Sequence, residues 1–183
     1  KTGTFTTLKI TTFDNNAEIM DGFDAVDITT TPPVNFEYLK PRYTTRLIDT
    51  AVESLIKQKR RIRLLKQNLS PEIRKLNPNI ICIFALLTDG MDNESTLYSS
   101  EHLNKMLKNL SKEGGNAFFL GSGQDAIKTG NEYGFDKGKC LTYTSNGTHA
   151  DAAMRAMSNQ ISRACSGSEN TEFTSLQRTS SLN

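Results

Sequence analysis

Residues 80–93 read IICIFALLTDGMDN, an unbroken apolar run that ends in a polar turn. The run is long enough for a strand that is buried on both faces, which is typical of a parallel sheet. Ligands bind at the carboxyl ends of strands in an open α/β sheet, and Asp89 follows this strand directly. Gly90 lets the chain turn sharply at that point. The stretch predicts a buried strand that ends at a metal or polar-ligand residue, and the alternative is a plain turn.

The segments around this strand alternate between strand and helix patterns. The predicted strands are residues 5–13, 17–20, 79–88, 117–121 and 139–144, and the predicted helices are residues 45–67, 71–76, 99 or 100 to 112, 124–133 and 151–165. Alternation of this kind favours a three-layer α/β fold with a doubly wound, mostly parallel sheet and helices on both faces. The first two strands predict one antiparallel hairpin at the edge of that sheet. The polar, proline-containing residues 21–42 predict a loop.

Length and composition agree with one globular domain. The chain has 183 residues, a net charge of +2 and 36% hydrophobic residues, so the composition does not predict disorder, and the overall charge predicts binding neither to nucleic acid nor to an anionic membrane. No apolar run approaches the roughly 20 residues of a membrane span, and no signal-peptide pattern is visible. Cys82, Cys140 and Cys165 lie far apart, which favours free thiols in a reduced, intracellular setting.

The ends of the chain differ from its middle. Lys1 is followed almost at once by a strand pattern, so we expect a piece of a longer polypeptide. Residues 1–166 are predicted to form one domain that is incomplete at its N-terminus. Residues 167–183 are rich in Ser, Thr, Asn and Glu and predict a polar tail, or a segment that lies on a partner.

Thr45 and Asp89 form the most informative chemical pair. Thr45 opens a predicted helix and Asp89 ends a predicted strand, so a doubly wound sheet could bring both to one rim. Hydroxyl and carboxylate oxygens are hard ligands that suit Mg²⁺, Mn²⁺ or Ca²⁺. The alternative is that Thr45 caps a helix and Asp89 forms a turn.

Three motifs occur in order along the chain: TRLIDTA at 45–51, LLTDGMDN at 86–93 and FFLGSGQDA at 118–126. With them, and with Phe13-Asp14-Asn15 at the end of the hairpin strand, the chain resembles the von Willebrand factor A domain in its microbial and viral intracellular branch. The resemblance runs from the first strand to about Cys165. It implies a site in which a divalent cation is held by an Asp-x-Ser-x-Ser loop, a threonine and an aspartate, and in which a partner's Glu or Asp completes the shell. Thr45 matches the threonine and Asp89 the aspartate.

The chain departs from this pattern in two respects. No Asp-x-Ser-x-Ser is present, and Tyr43 and Thr44 replace the small residues before the threonine, so Thr44 is a second candidate. Two oxygens cannot hold Mg²⁺ against its hydration shell, so we expect a cation only if residues upstream of Lys1 supply the loop. The family's central first strand is also missing. We expect those upstream residues to provide it, ahead of donation by another chain.

Several other features favour ordinary structural roles. The basic run 57–63 lacks aromatic residues, so a solvated face or a rim that docks on an acidic partner is preferred to a nucleic-acid site. The turn Gly121-Ser122-Gly123-Gln124 lacks the rest of a phosphate-binding motif. His102 and His149 have no metal-ligand partner at helical spacing. The remaining candidates, expected to be turn or cap residues, are Asp92, Asp125 and Asp151.

These observations predict a non-enzymatic module that binds a protein partner at the carboxyl rim of the sheet, with the contact completed through an acidic side chain if a metal is present. The alternative is a metal-free structural component of a large assembly, such as a minor viral capsid protein, located inside a virus particle. A third hypothesis, a nucleotide-using enzyme, rests on Gly121-Ser122-Gly123 alone. Neither nucleic acid nor a membrane span is predicted.

Overall fold

The structure is a computed structural model that describes residues 6–20, 23–31, 33, 44–76, 78–123 and 125–182. Its strands are β1 (Thr7–Leu8), β2 (Thr11–Phe13), β3 (Ala17–Ile19), β4 (Val26–Asp27), β5 (Ile83–Thr88), β6 (Asn116–Ser122) and β7 (Cys140–Tyr143). Its helices are α1 (Leu47–Asn68), α2 (Pro71–Lys75), α3 (Ser100–Lys112), α4 (Ala126–Tyr133), α5 (Gly147–Cys165) and α6 (Ser175–Ser180), with a 3₁₀ turn at Lys137–Lys139.

A parallel sheet of three strands, in the order β5-β6-β7, forms the centre of the fold. Ile83 pairs with Asn116 at the start of β5, and Phe119 pairs with Cys140 at the start of β7. The predicted strand over residues 79–88 is therefore shorter in the structure. Pairing between β5 and β6 begins at Ile83 and Asn116, so residues 79–82 lie before the paired part of the two strands.

Helices cover both faces of this sheet. On one face, Leu47 of α1 and Leu103 of α3 pack in a buried cluster with Phe119. On the other face, Phe118 packs with Leu141 of β7 and with α5. Neighbouring strand residues point to opposite faces, so Phe118 and Phe119 contribute to different clusters. The prediction of a mixed α/β fold with helices on both sides of a parallel sheet is confirmed.

The antiparallel strands differ from the prediction. β2 pairs with β3 as expected, but β1 pairs with β4, and each pair is a sheet of its own. The described residues contain no hydrogen bond that joins either pair to the parallel sheet, so the expected edge hairpin is separate from it. β4 also lies inside residues 21–42, which the sequence predicted as loop. The rest of that segment lies partly outside the described residues.

Among the described residues, β5 has a neighbouring strand on one side only, and we call its other side the open edge. The carbonyl of Cys82 accepts a hydrogen bond from the N–H of Asn116 at 2.9 Å, so this residue faces β6. Backbone groups alternate in direction along a strand, and those of Ile83, Ala85 and Leu87 therefore point away from β6. Within the described part of the chain these groups have no backbone partner.

Local sequence signals set most helix ends. The Ser70 side chain accepts from the N–H of Ile73 at the start of α2, and Pro71 occupies the first helical position, which suits a residue without an N–H. Ser99 caps α3, and Gly134 ends α4 at φ +99°, a left-handed conformation that favours glycine. The Asn146 side chain caps α5. Because that helix begins one turn earlier than predicted, Asp151 lies inside it, and the expectation of a turn or cap role is wrong.

The segment after α5 packs on the domain and does not extend from it. Phe173 is buried against Phe118, with the ring centroids 5.9 Å apart. Arg178 donates to the carbonyl of Cys140 at 2.6 Å, and the Ser181 hydroxyl donates to that of Thr142 at 2.8 Å. The sequence predicted a polar tail, or a segment that lies on a partner, because Ser, Thr, Asn and Glu dominate its composition.

No helix within the described ranges combines the length and the apolar character that crossing a bilayer requires.

Candidate functional site

The carboxyl ends of the three parallel strands form one rim of the molecule. β5 ends at Thr88, β6 at Ser122 and β7 at Tyr143. Parallel strands bring these ends to the same edge of the sheet, where α/β proteins bind ligands. Asp89 begins the turn after β5, and its side chain is exposed. Several polar side chains therefore lie at the edge of the sheet where α/β proteins bind ligands.

The turn after β5 is held by the last residue of the strand. The Thr88 hydroxyl donates to the carbonyl of Gly90 at 2.9 Å and accepts from the N–H of Gly90 at 3.1 Å. These two hydrogen bonds fix the backbone on either side of Asp89. The carboxylate is thus presented to solvent from an ordered turn.

Thr45 lies against this turn. Its hydroxyl oxygen is 3.8 Å from the position that a Cβ on Gly90 would occupy. Its N–H donates to Oδ1 of Asn93 at 2.8 Å, and its carbonyl accepts from the N–H of Asn93 at 3.1 Å. Thr44 precedes it and is half-buried. The structure brings Thr45 to the turn that carries Asp89, and the metal-binding role of the two residues stays a prediction.

The loop after β5 also caps α1. The Arg46 side chain makes no cap hydrogen bond at the start of that helix. Instead, Oδ1 of Asp92 accepts from the N–H of Ile48 at 3.1 Å, and the Ser95 hydroxyl accepts from the N–H of Asp49 at 2.9 Å. Thr45 is therefore not the cap of the helix, and Asp92 caps an element more than forty residues away.

Asp49 is the residue that the sequence argument missed. Its side chain is completely buried, and its carboxylate accepts from the N–H groups of Thr96 at 3.0 Å, Leu97 at 3.1 Å and Tyr98 at 2.9 Å. The Arg46 guanidinium donates to it at 3.0 Å. Burial raises its pKa, but these hydrogen bonds together outweigh burial and hold the pKa below its ordinary value. The available signal was an aspartate within the apolar face of a predicted helix.

Tyr143 and Ser122 continue the rim beside Asp89. Burial is the main reason that the pKa of the Tyr143 phenol is raised, and the Asp89 carboxylate raises it further. A hydrogen bond with Ser122 acts in the opposite direction. An acidic, a phenolic and a hydroxyl group therefore lie near one another at the ends of the three strands, and of the three residues Asp89 is exposed, Tyr143 is half-buried and Ser122 is buried.

The residues on the rim supply part of a metal site. Thr45 and Asp89 offer oxygen ligands of the type that Mg²⁺ prefers, but Mg²⁺ needs near-octahedral coordination. The described residues contain no cluster of three or more His, Cys, Asp or Glu side chains suited to a metal ion. These two groups fit a divalent cation in kind and not in number, so Mg²⁺ would need further oxygen ligands to complete its shell.

The turn after β6 has a structural explanation. Gly123 has φ +67°, which favours glycine. At the start of α4, Asp125 accepts from the N–H groups of Ile127 and Lys128, both at 3.1 Å, and so is a cap as predicted. These N–H groups at the start of the helix therefore already have an acceptor, whereas a phosphate site would need them free. Gln124, the fourth residue of the motif, lies outside the described residues.

The histidines and cysteines have local roles. His102 interacts through Nδ1 with the Ser99 hydroxyl at 3.1 Å, and His149 interacts with Asn146 at 2.8 Å, so each closes the start of a helix. Cys82 and Cys140 are buried and free, and burial raises the pKa of the Cys140 thiol to about 12. Its sulfur is therefore protonated at neutral pH and is a weak nucleophile.

Comparisons of the chain with models of protein families, with curated proteins and with solved structures found no match. The function therefore has to be argued from the residues of the rim and their geometry.

Proposed function

We propose that this chain is a non-catalytic protein–protein interaction module of von Willebrand factor A type, which binds a protein partner at the carboxyl rim of the sheet. The observation that carries the proposal is the position of Thr45 against the Asp89–Gly90 turn. Asn93 holds Thr45 there by hydrogen bonds to both its N–H and its carbonyl. Two segments that are distant in sequence are thereby fixed at one exposed edge. That arrangement suits recognition of a partner more than it suits packing, because Asp89 faces solvent.

The loop that follows Asp89 provides apolar contact area next to the polar groups. Met91 is 59% exposed and Leu97 is 62% exposed, and both lie on the loop whose backbone is anchored by Asp49. Exposed apolar side chains on an ordered rim are a common feature of protein-binding surfaces. A partner would bury these two side chains and form hydrogen bonds with Asp89 and its neighbours.

A divalent cation belongs to this proposal only under one condition. Mg²⁺, Mn²⁺ or Ca²⁺ would bind between Thr45 and Asp89 when other oxygen ligands complete its shell, one of them an acidic side chain of the partner. In that state the cation would supply electrostatic attraction for the partner's carboxylate. In a protein that also contains the residues expected to supply those further ligands, we expect Mg²⁺ or Mn²⁺ to raise both the melting temperature and the affinity for the partner. Asp89→Ala should remove both effects. Equal binding with and without a chelator would refute the metal.

A photo-crosslinking experiment tests the rim itself. A photoreactive amino acid at Met91 is expected to form an adduct with a protein partner in the cells that produce the protein. The same amino acid at Lys112, an exposed position at the end of α3 and away from the rim, is the matched control. The adduct should be lost in Asp89→Ala. If the two positions give the same adducts, the rim is not the binding surface.

The open edge of β5 favours a second candidate, a metal-free structural component of a large assembly such as a minor viral capsid protein. The outward backbone groups of Ile83, Ala85 and Leu87 lack partners in the described chain, and a neighbouring subunit could pair with them. Light scattering of the purified chain would show assembly that is indifferent to a chelator. A monomer at every concentration would contradict this candidate.

A further inference from the structure

The second half of α1 and the whole of α2 project from the folded core. Within residues 56–76, which we call the basic arm, only Gln58, Arg61, Ile62 and Leu69 are half-buried, and all the other side chains are exposed. The Arg74 guanidinium donates to the carbonyls of Gln67 and Leu69, at 3.1 and 3.0 Å, and holds α2 against the end of α1. The start of the arm contacts the domain through Ile62, which packs against the core cluster, and through Arg61, which donates to the carbonyl of Ala25 at 3.3 Å. From Arg63 to Leu76, every side chain except that of Leu69 is exposed.

The basic arm concentrates positive charge. It contains eight of the 22 basic residues and one of the 20 acidic residues, a net charge of +7 against −5 for the remaining residues. Lys57 and Lys59 lie 3.9 and 3.2 Å from carboxylates, in exposed pairs that contribute little. Arg60, Arg63 and Lys66 are exposed and form no ion pair within the described part of the chain. Their charge is available to an external partner.

The basic arm also concentrates exposed aliphatic side chains. Five of the twelve large hydrophobic side chains that are exposed in the described residues lie on it: Ile56, Leu64, Leu65, Ile73 and Leu76. Leu64 and Leu65 are consecutive in a helix, so they point about 100° apart, and Leu76 belongs to the turn after α2. Scattered aliphatic groups of this kind do not form a groove for a folded partner. They suit a deformable partner surface, for which shape complementarity is not required.

We propose that the basic arm binds the surface of an anionic lipid bilayer. Arg60, Arg63 and Lys66 contact the phosphate headgroups, and Leu64, Leu65 and Leu76 enter the boundary between the headgroups and the acyl chains. The arm contains no aromatic residue that could stack on a base, which disfavours a nucleic acid as the partner. Because α1 begins next to the rim and runs for about 33 Å, binding through its far end would leave the rim accessible.

Vesicle sedimentation tests the proposal with the full chain. Vesicles of phosphatidylcholine with about 30% phosphatidylserine should bind the protein at about 0.1 M salt, and vesicles of phosphatidylcholine alone should not. Raising the salt to about 0.5 M should release most of the protein, since screening weakens the attraction to the headgroups. A failure to bind the anionic vesicles at low salt would overturn the proposal.

Matched variants assign the binding to the arm. Arg60→Gln/Arg63→Gln/Lys66→Gln should lower the vesicle partition coefficient about a hundredfold. Lys105→Gln/Lys108→Gln/Lys112→Gln removes the same charge from exposed positions on α3 and should change it by less than about threefold. Leu64→Ser/Leu65→Ser keeps the charge and should lower it roughly tenfold. Circular dichroism and urea unfolding show that each variant is folded.

Three outcomes contradict the proposal. An equal loss in the α3 control would show that only overall charge matters. Unchanged binding of the serine variant would show that no side chain enters the bilayer. Tighter binding to a short DNA duplex than to the anionic vesicles, at the same salt, would identify the arm as a nucleic-acid surface.

Discussion

The buried Asp49 carboxylate joins α1 to the loop after β5. Its oxygens receive three backbone N–H groups from residues 96–98 and one guanidinium hydrogen bond from Arg46. A side chain without a carboxylate would leave these buried donors unsatisfied, which costs more than the hydrogen bonds contribute. Asp49 therefore holds residues 96–98 to α1, in addition to the contacts that Asp92, Asn93 and Ser95 make with the start of this helix.

We expect Asp49→Ala to lower the free energy of unfolding by about 3 kcal/mol, because it leaves several buried donors without an acceptor. Asp151→Ala is the matched control, since it removes an exposed helical aspartate, and should change that free energy by less than about 0.5 kcal/mol. Urea denaturation followed by circular dichroism measures both. A similar, small effect in the two variants would show that the loop is not held by Asp49.

The same residue predicts a pH dependence. The pKa of Asp49 is lowered in the folded protein, so the folded state binds fewer protons at this site than the unfolded state does. The stability that Asp49 contributes is thus present above the ordinary carboxyl pKa and is lost as the pH falls through the lower, folded value. Below about pH 4 the unfolding free energy of the wild type should fall more steeply than that of Asp49→Asn. Parallel slopes in urea denaturation at each pH would contradict this assignment.

Single residues differed in how far the sequence could place them. The sequence alone indicates Thr45 and Asp89 as a pair, because each lies at an element end and element ends converge on the rim of an α/β sheet. Asp49 was not identified, because a helical pattern shows which face is buried but does not show which backbone N–H groups of other segments need an acceptor at that face. The backbone donors to Asp49 lie 47 to 49 residues further along the chain. Contacts of that range depend on the completed fold.

At the scale of elements, several helix ends had local sequence signals that the strand ends lacked, although the short helix α6 was not predicted. Ser99, Ser70 and Gly134 gave local signals for helix ends, because capping acts within one turn of the chain. The start of β5 depends on its register with Asn116, which no local pattern records. The strand β4 was missed for the same reason, because its two residues are defined by pairing with β1.

The C-terminal segment gives a prediction at this scale. Phe173 is 5% exposed and packs on Phe118, so Phe173→Ala should lower the free energy of unfolding by about 3 kcal/mol through a cavity beside β6. Leu176→Ala, in the same segment but 76% exposed, should change it by less than about 0.5 kcal/mol. Thermal and urea unfolding compare the two variants. Equal effects would mean that the segment does not pack on the domain in solution.

At the scale of the whole molecule, the open edge of β5 should control self-association. The strand is uncharged along its length, and Leu87 is 36% exposed. Natural sheets protect such edges with charged side chains. We expect the chain to form larger species as its concentration rises, and Leu87→Lys to shift it toward the monomer. Leu97→Lys, which places the same charge on the rim loop, should leave the equilibrium unchanged in light scattering.

The capping of α1 by the loop after β5 determines when this helix can be completed. Asp92 and Ser95 accept hydrogen bonds from the N–H groups of Ile48 and Asp49, and they are synthesised more than forty residues after these donors. While the chain emerges from the ribosome, the first turn of α1 has no acceptors from this loop, so we expect it to fray until the loop is in place. Completion of this helix and closure of the loop should therefore occur together.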